Sequence, residues 1–395
     1  MGHTLGAVEL REMVRTAIAY GKTRSIPLAP SVMTIPASNY VDPWRFEVEV
    51  ERIFKRLPLM LAPSAEIPRP GDYKAMEVAG VPVLITRGQD GVVRTFLNAC
   101  SHRGANLTTE PTGNAKRFVC PYHGWTFDQQ GALRGVASAE EFGEVDKDCY
   151  SLRTLPTTER SGLIWVVLDR NSTVDFDTFL SGYDALLERF GFKDWHFQSS
   201  RVIKGPNWKV AYDGYLDYYH IPVLHRETFG PDMLNQAIYS AFGPHQRVQF
   251  PLREYSELEA TPEDAWTDET LLSGVWTIFP HISIASFGGG GRGVMISQLL
   301  PGATVGESLT TQMYLMQTPP EGPEIKAAEE QFAFLRRVVE DEDYTTGLAL
   351  QKALKAGALD KVTFGRNESG AQRFHGWVDK VIATDDADLN ALFAG

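Results

Sequence analysis

Two short loops, each offering one thiolate and one imidazole, constrain this chain more than any other feature. The sequence reads Cys100-Ser-His102-Arg-Gly104-Ala105 and, after seventeen residues beyond His102, Cys120-Pro-Tyr122-His123-Gly124-Trp125. Facing each other, the loops present two sulfurs and two ring nitrogens. A [2Fe-2S] cluster with the cysteines on one iron and the histidines on the other uses that set. A structural zinc ion takes the same atoms. Zinc fingers place both cysteines before both histidines, whereas here the two types alternate. With a glycine in each loop and β-rich sequence around them, the cluster is the better reading.

The surrounding texture sets the domain plan. Between Tyr73 and Asp169, alternating or β-branched runs such as Val81–Thr86, Val92–Leu97 and Leu163–Leu168 are separated by glycine-bearing turns, which predicts a small all-β unit. Val8–Tyr20 and Pro43–Lys55 before it, and Phe176–Phe190 and Asn207–Tyr219 after it, carry helical periodicity. Val275–Pro301 and Ser308–Gln317 read as strands, followed by a long helix over Ile325–Leu354. The expected division is an N-terminal helical arm over 1–45, the cluster domain over 46–169 and an α+β catalytic domain over 170–395, the arm packing on the last.

A length of 395 residues suffices for two cores. The net charge of −12 argues against a nucleic-acid partner, because such binding rests on basic patches that neutralise phosphates. No run reaches the roughly 18 apolar residues of a membrane-spanning helix, and Met1–Glu9 lacks the basic-then-apolar order of a secretory signal. Only three cysteines occur, Cys100, Cys120 and Cys149, too few for a disulfide scaffold. A cytoplasmic protein without membrane attachment is expected.

A second constellation lies in the later half: Asn207-Trp-Lys209, then Asp213, and Asp217-Tyr-Tyr-His220-Ile-Pro222-Val-Leu-His225. Asp217 and His220 are spaced to share a helix face. His220 and His225 are five apart, so a straight helix turns them about 140° from one another; Pro222 is expected to break the helix and bring His225 back. Two histidines and one carboxylate make the facial triad of a non-haem Fe(II) oxygenase, with positions open for O2. On the late helix the apolar stripe runs Phe332, Leu335, Val339, Thr346, Leu350. Asp343 falls on that stripe and is the expected third ligand; Asp341 lies off it and is the fallback.

In this order, the paired Cys-His loops, Asn-Trp-Lys, Asp-x-x-His-x4-His and a late Glu-Asp run with Gln351 eight residues beyond Asp343 resemble the α (catalytic) subunit of Rieske non-haem iron ring-hydroxylating oxygenases, over nearly the whole chain. Ala105, Tyr122 and Trp125 stand where respiratory-chain Rieske proteins carry two disulfide cysteines and a serine, which implies a cluster of low potential. The resemblance implies an all-β Rieske [2Fe-2S] domain and a helix-grip catalytic domain, an antiparallel sheet wrapped over the long C-terminal helix. It implies a homotrimer in which Asp217 bridges His220 and the neighbouring subunit's cluster ligand His123. Electrons would come from a reductase, with or without a ferredoxin, NAD(P)H acting only through it, and O2 would be the co-substrate at mononuclear Fe(II).

The implied activity is hydroxylation or dihydroxylation of an apolar aromatic or alicyclic compound. N- or O-demethylation is the alternative, and a pure Rieske electron carrier is the reading from a different class. The substrate pocket is expected to draw on Tyr212, Leu224, Met233, Phe279, His281, Ile284, Ser286 and Phe287, with His281 either orienting a substrate oxygen or serving the core.

Overall fold

The computed structural model describes residues 2–23, 25–230, 235, 237–249 and 258–394. The first half contains a five-stranded antiparallel sheet with Val81–Arg87 at its centre and two three-stranded sheets. One of the latter joins Arg117–Val119, Thr126–Asp128 and Leu133–Gly135. Its first turn is the second Cys-His loop; the first loop leaves the five-stranded sheet after Val93–Leu97. The other pairs Leu59–Pro63 with Leu163–Val166, two strands buried at every position. A strand covered on both faces needs no polar alternation, and here the second cover is the catalytic half: Gln298 Nε2 donates to Met60 O at 2.7 Å.

The catalytic half is built on a seven-stranded antiparallel sheet: His196–Gly205, Ser308–Met316, Arg292–Pro301, Ile282–Gly288, Val275–Ile278, His245–Gln249 and Ile238–Phe242, in spatial order. Directly paired residues point to the same face. One row across the sheet therefore reads Arg201, Gln312, Ser297, Ser283, Thr277, Gln246. The next row, through Gln298, faces the Rieske half. Helix Trp208–Leu216 covers the first face, since Tyr212 reaches Thr277 and Tyr215 lies beside Ser297 and Gln312.

Two helices lie on this face. Trp208–Leu216 covers its middle, with Ser369–Ala383 packed behind it through Phe374, whose ring meets Trp208 and Tyr212. The late helix, as expected, also packs on the sheet, Phe332 stacking on Tyr314 and Tyr344 bonding Thr310. The sequence around the start of Trp208–Leu216 explains its own motif. Asn207 caps the helix, its Oδ1 accepting from Lys209 N at 2.9 Å, while its Nδ2 donates to Val305 O at 2.7 Å. Gln351 accepts from Asn207 N and donates to Tyr40 O, both at 3.2 Å. Lys209 and Trp208 both donate to the fully buried Glu49. Removing one partner of such a buried pair costs about 3–5 kcal/mol, because the other charge is left without compensation.

The domain boundary at 46 falls inside a helix. Pro43–Glu49 continues as a π-helical turn over Val50–Phe54, and this segment belongs with the catalytic half. Arg45 pairs with Asp379, and Arg56 donates to Val381 O and Thr384 O at the end of Ser369–Ala383. The arm before it is helical over Gly2–Thr23, with Leu10, Met13, Val14 and Ala17 buried, and Met33–Pro36 pairs with Lys361–Phe364. Phe176–Phe190 is not one helix but two short ones, Phe176–Leu180 and Tyr183–Leu187, split by Ser181 and Gly182 in the left-handed conformation. Among the described residues no helix is long and apolar enough to cross a membrane.

Candidate metal centres

The two Cys-His loops have the same backbone. Cys100 N donates to Ala105 O and Gly104 N to Cys100 O, both at 2.8 Å; Cys120 N donates to Trp125 O at 2.7 Å and Gly124 N to Cys120 O at 3.0 Å. Each loop closes through a glycine with positive φ, +79° at Gly104 and +69° at Gly124, a conformation other residues adopt only with strain. The loops face one another. Cys100 and Cys120 are neighbouring, buried, free thiols, and the His102 and His123 ring centroids lie 4.7 Å apart.

Trp125 stacks on His102 at 4.9 Å and fixes its plane. His102 Nδ1 is buried with no hydrogen-bond partner. Burial raises the Cys100 pKa, so an apolar site without a cation would keep the thiol protonated. Two buried sulfurs and two imidazoles, one with an otherwise unexplained buried nitrogen, fit a Rieske [2Fe-2S] cluster.

The second site forms where Trp208–Leu216 ends. Asp217 is extended, at φ −108° and ψ 129°, so it caps this helix rather than sharing one with His220. A new short helix, Ile221–Leu224, starts at His220 with Pro222 in its first turn. The proline therefore begins a helix rather than breaking one, as its missing N–H allows. His225 ends that turn and comes back beside His220, ring centroids 5.0 Å apart.

The late helix completes the cluster through an irregularity. Between Pro323–Arg337 and Thr345–Lys355 it widens to a π-helix over Val338–Tyr344. The extra residue shifts the buried face, so Val339 is followed by Tyr344, Gln351 and Leu354, while Thr346 and Leu350 of the expected stripe are exposed. Asp343 Oδ1 stands 3.0 Å from His225 Nε2 and 3.7 Å from His220 Nε2. The three donor atoms lie within 4.8 Å of one another. Asp341 is exposed and belongs to no such group among the described residues.

Both histidines are held from behind. Asp217 Oδ2 is 3.1 Å from His220 Nδ1, and Glu342 Oε2 is 2.6 Å from His225 Nδ1. A carboxylate at Nδ1 keeps the proton there and leaves the Nε2 lone pair free for a metal. Burial opposes a charged His225, yet Asp343 and Glu342 outweigh it and raise its pKa. Such an excess of negative charge around two imidazoles fits a divalent iron.

Sequence reasoning missed Glu342, whose signal was only its place next to Asp343. Glu342→Gln is expected to weaken iron binding about 10- to 100-fold while leaving the [2Fe-2S] spectrum intact, as changes behind a metal ligand commonly do. Iron retention against a graded chelator checks this. Unchanged retention would show that Glu342 does not orient His225.

The expected pocket residues scatter. Leu224 lines a cavity of about 330 Å³ with Asp213, Asp217, His220, Asp343, Leu350 and Glu368. Tyr212 donates its hydroxyl to Ile282 O at 2.9 Å and is committed to the fold. Phe279 packs on Phe374. His281 is fully buried beside Phe54, its pKa pushed down to about 3 by burial, so it is neutral, and both its ring nitrogens lie without a hydrogen-bond partner. Ile284 and Ser286 pair with Ile296 and Val294 on the face turned away from the helix, which removes them from the pocket. Phe287 shares the inner face. Met233 lies outside the described residues.

Comparison with known proteins agrees with both centres. The Rieske [2Fe-2S] domain profile matches residues 58–156, and that of the ring hydroxylating alpha subunit (catalytic domain) matches 192–384. The chain belongs to the family of Rieske-type ring-hydroxylating oxygenase alpha subunits. It is 34% identical over 195 residues to the carnitine monooxygenase oxygenase subunit of Acinetobacter baumannii, covering 49% of this chain and 52% of that one. It is 37% identical over 188 residues to the 2-aminobenzenesulfonate 2,3-dioxygenase subunit alpha of an Alcaligenes species, covering 46% and 47%. The match thus spans about half the length of these curated relatives. Among solved structures, a quaternary ammonium Rieske monooxygenase in complex with an inhibitor superposes with a TM-score of 0.74 at 23% identity, covering 88% of this chain and 95% of that one.

Proposed function

We propose that this protein is a terminal oxygenase, with Cys100, His102, Cys120 and His123 holding the Rieske cluster and His220, His225 and Asp343 holding iron. When bound, the cluster supplies single electrons and the iron a site for reducing O2 to oxidise an aromatic or alicyclic substrate. The observation that carries this reading is Asp217. It grips His220 Nδ1 from the side that opens into the outer cavity, and its side chain is about one-fifth exposed. A carboxylate placed there can accept a hydrogen bond from an incoming imidazole while still orienting its own.

The incoming group we assign is His123 of a second copy. It sits at the tip of its loop, partly exposed, next to Tyr122, which is 60% exposed, and its pKa is lowered by desolvation and by Arg103 and His102. A homotrimer with each tip in the neighbour's outer cavity satisfies both surfaces. A reductase, with or without a ferredoxin, would supply the electrons, and Cys149, the one cysteine outside the cluster, forms no disulfide, as suits a reducing cytoplasm. Because relatives include a monooxygenase as well as a dioxygenase, insertion of one oxygen with N- or O-demethylation is the second reading.

Protein purified without oxygen should contain acid-labile sulfide and about three irons per chain, two in the cluster. Cys100→Ser should abolish the Rieske electron-paramagnetic signal and keep the mononuclear iron. A normal signal in that variant, or a colourless zinc protein, would overturn the assignment.

A further inference from the structure

The outer cavity that opens beside Asp217 is lined by four carboxylates, Asp213, Asp217, Asp343 and Glu368, and by no lysine or arginine. Three of the four have partners. Asp213 accepts from the Tyr40 hydroxyl at 2.6 Å and meets His375 Nε2 at 2.9 Å, while Asp217 and Asp343 serve the two histidines of the iron site. Glu368 differs. Its Oε2 accepts from the backbone N–H of Gly365 at 2.5 Å, and among the described residues no side chain pairs with it. Burial raises its pKa, and the nearby charges of Asp217 and Asp213 raise it further, so the fold holds this acid beside other acids.

The tip of the cluster domain carries the opposite surplus. Arg103, next to His102 in the first loop, is exposed, and among the described residues it pairs with no carboxylate. Its guanidinium lies 5.6 Å over the Tyr122 ring, and that ring lies 3.7 Å from the His123 ring. Cation and imidazole are therefore presented together, close enough for the charge of Arg103 to act on His123. Within one chain Arg103 is not among the charges acting on Glu368, which are those of Asp217, Asp213 and His220. The two surfaces are complementary. Setting His123 of one copy against Asp217 of another brings the cation beside His123 to the unpaired acid beside Asp217.

We propose that Arg103 of one copy forms an ion pair with Glu368 of the next, so that the neighbour supplies the cation the outer cavity lacks and the pair fixes how His123 meets Asp217. A guanidinium suits the task, because its planar fork can grip a carboxylate while its flat face stays on Tyr122. Closing the interface excludes water, and there either charge alone is costly. Arg103 and Glu368 are positioning residues, since neither is a metal ligand. The inference rests on the trimer reading and adds the contact that sets its register.

Charge reversal in the metal-loaded protein, read by sedimentation equilibrium over a dilution series, tests it. Arg103→Glu and Glu368→Arg should each raise the concentration at which the trimer half-dissociates by about tenfold or more, since each sets like charges face to face. The two reversals combined should bring that concentration back to within about threefold of the parent, a rescue that a merely structural role of either residue does not give. Iron content and the cluster spectrum should match the parent throughout. A parent protein that sediments as a monomer overturns the trimer reading and the pair with it. A parent trimer whose dissociation neither reversal changes, or whose double reversal is no better than the single ones, overturns the pair alone. If a reversed variant fails to fold, neutral variants decide: Arg103→Gln and Glu368→Gln should each weaken the trimer, and together by no more than either one, whereas losses that add overturn the pair.

Discussion

With iron supplied in excess, Asp217→Asn is expected to keep both metal centres filled and to lose turnover by about 100-fold, the upper end of what residues behind a metal ligand usually contribute. The substitution is a narrow one. Asp217 Oδ1 accepts from Tyr219 N in a local turn, and an asparagine oxygen can do the same, so the backbone leading to His220 should hold. What is lost is the negative charge behind His220 and the freedom of Oδ2 to accept from two imidazoles at once. Pre-reduced variant protein, given substrate and O2, should leave its cluster reduced for much longer than the parent. Mixed trimers sharpen the test: subunits carrying Asp217→Asn, combined with subunits lacking His123, should regain activity wherever an intact Asp217 meets an intact neighbouring tip. Rapid reoxidation in the variant, or full activity from a monomer, would refute the bridge.

Asp343→Ala should strip the mononuclear iron and leave the cluster untouched. Asp343 Oδ1 is the carboxylate oxygen that lies near both histidine Nε2 atoms, so alanine reduces the donor set to two imidazoles. Glu342 cannot take over, because both its oxygens are engaged, one with His225 Nδ1 and the other with Thr228 Oγ1. Asp341→Ala should change iron content little, since that side chain faces solvent. Iron analysis together with the cluster's visible spectrum separates the outcomes. Iron lost with Asp341→Ala and kept with Asp343→Ala would place the metal elsewhere.

What could be read from the sequence was whatever depends on spacing within one short loop. The Cys-x-His and Cys-x-x-His loops announce themselves because ligand and turn glycine are adjacent in the chain. His220 and His225 were legible as a pair, but the manner of their meeting was not. A proline looks like a breaker in sequence, and only the backbone shows that the helix had already ended at Leu216. The pocket was the least legible part, because it depends on strand parity. Ile284 and Ser286 differ from Ser283 and Phe287 by one residue, and a one-residue shift exchanges the faces of a sheet.

The π-helical turn at Val338–Tyr344 makes consecutive residues partners in one task. Glu342 steadies His225 from behind while Asp343 faces the metal side of the same ring. Regular α-helical neighbours diverge by about 100°, and the widened turn is where these two meet one imidazole. The site is therefore sensitive to length in a way that its letters do not reveal. Removing one residue from this turn would preserve every donor in the sequence and still separate the pair, so across lineages this stretch should tolerate exchanges of residue far better than insertions or deletions.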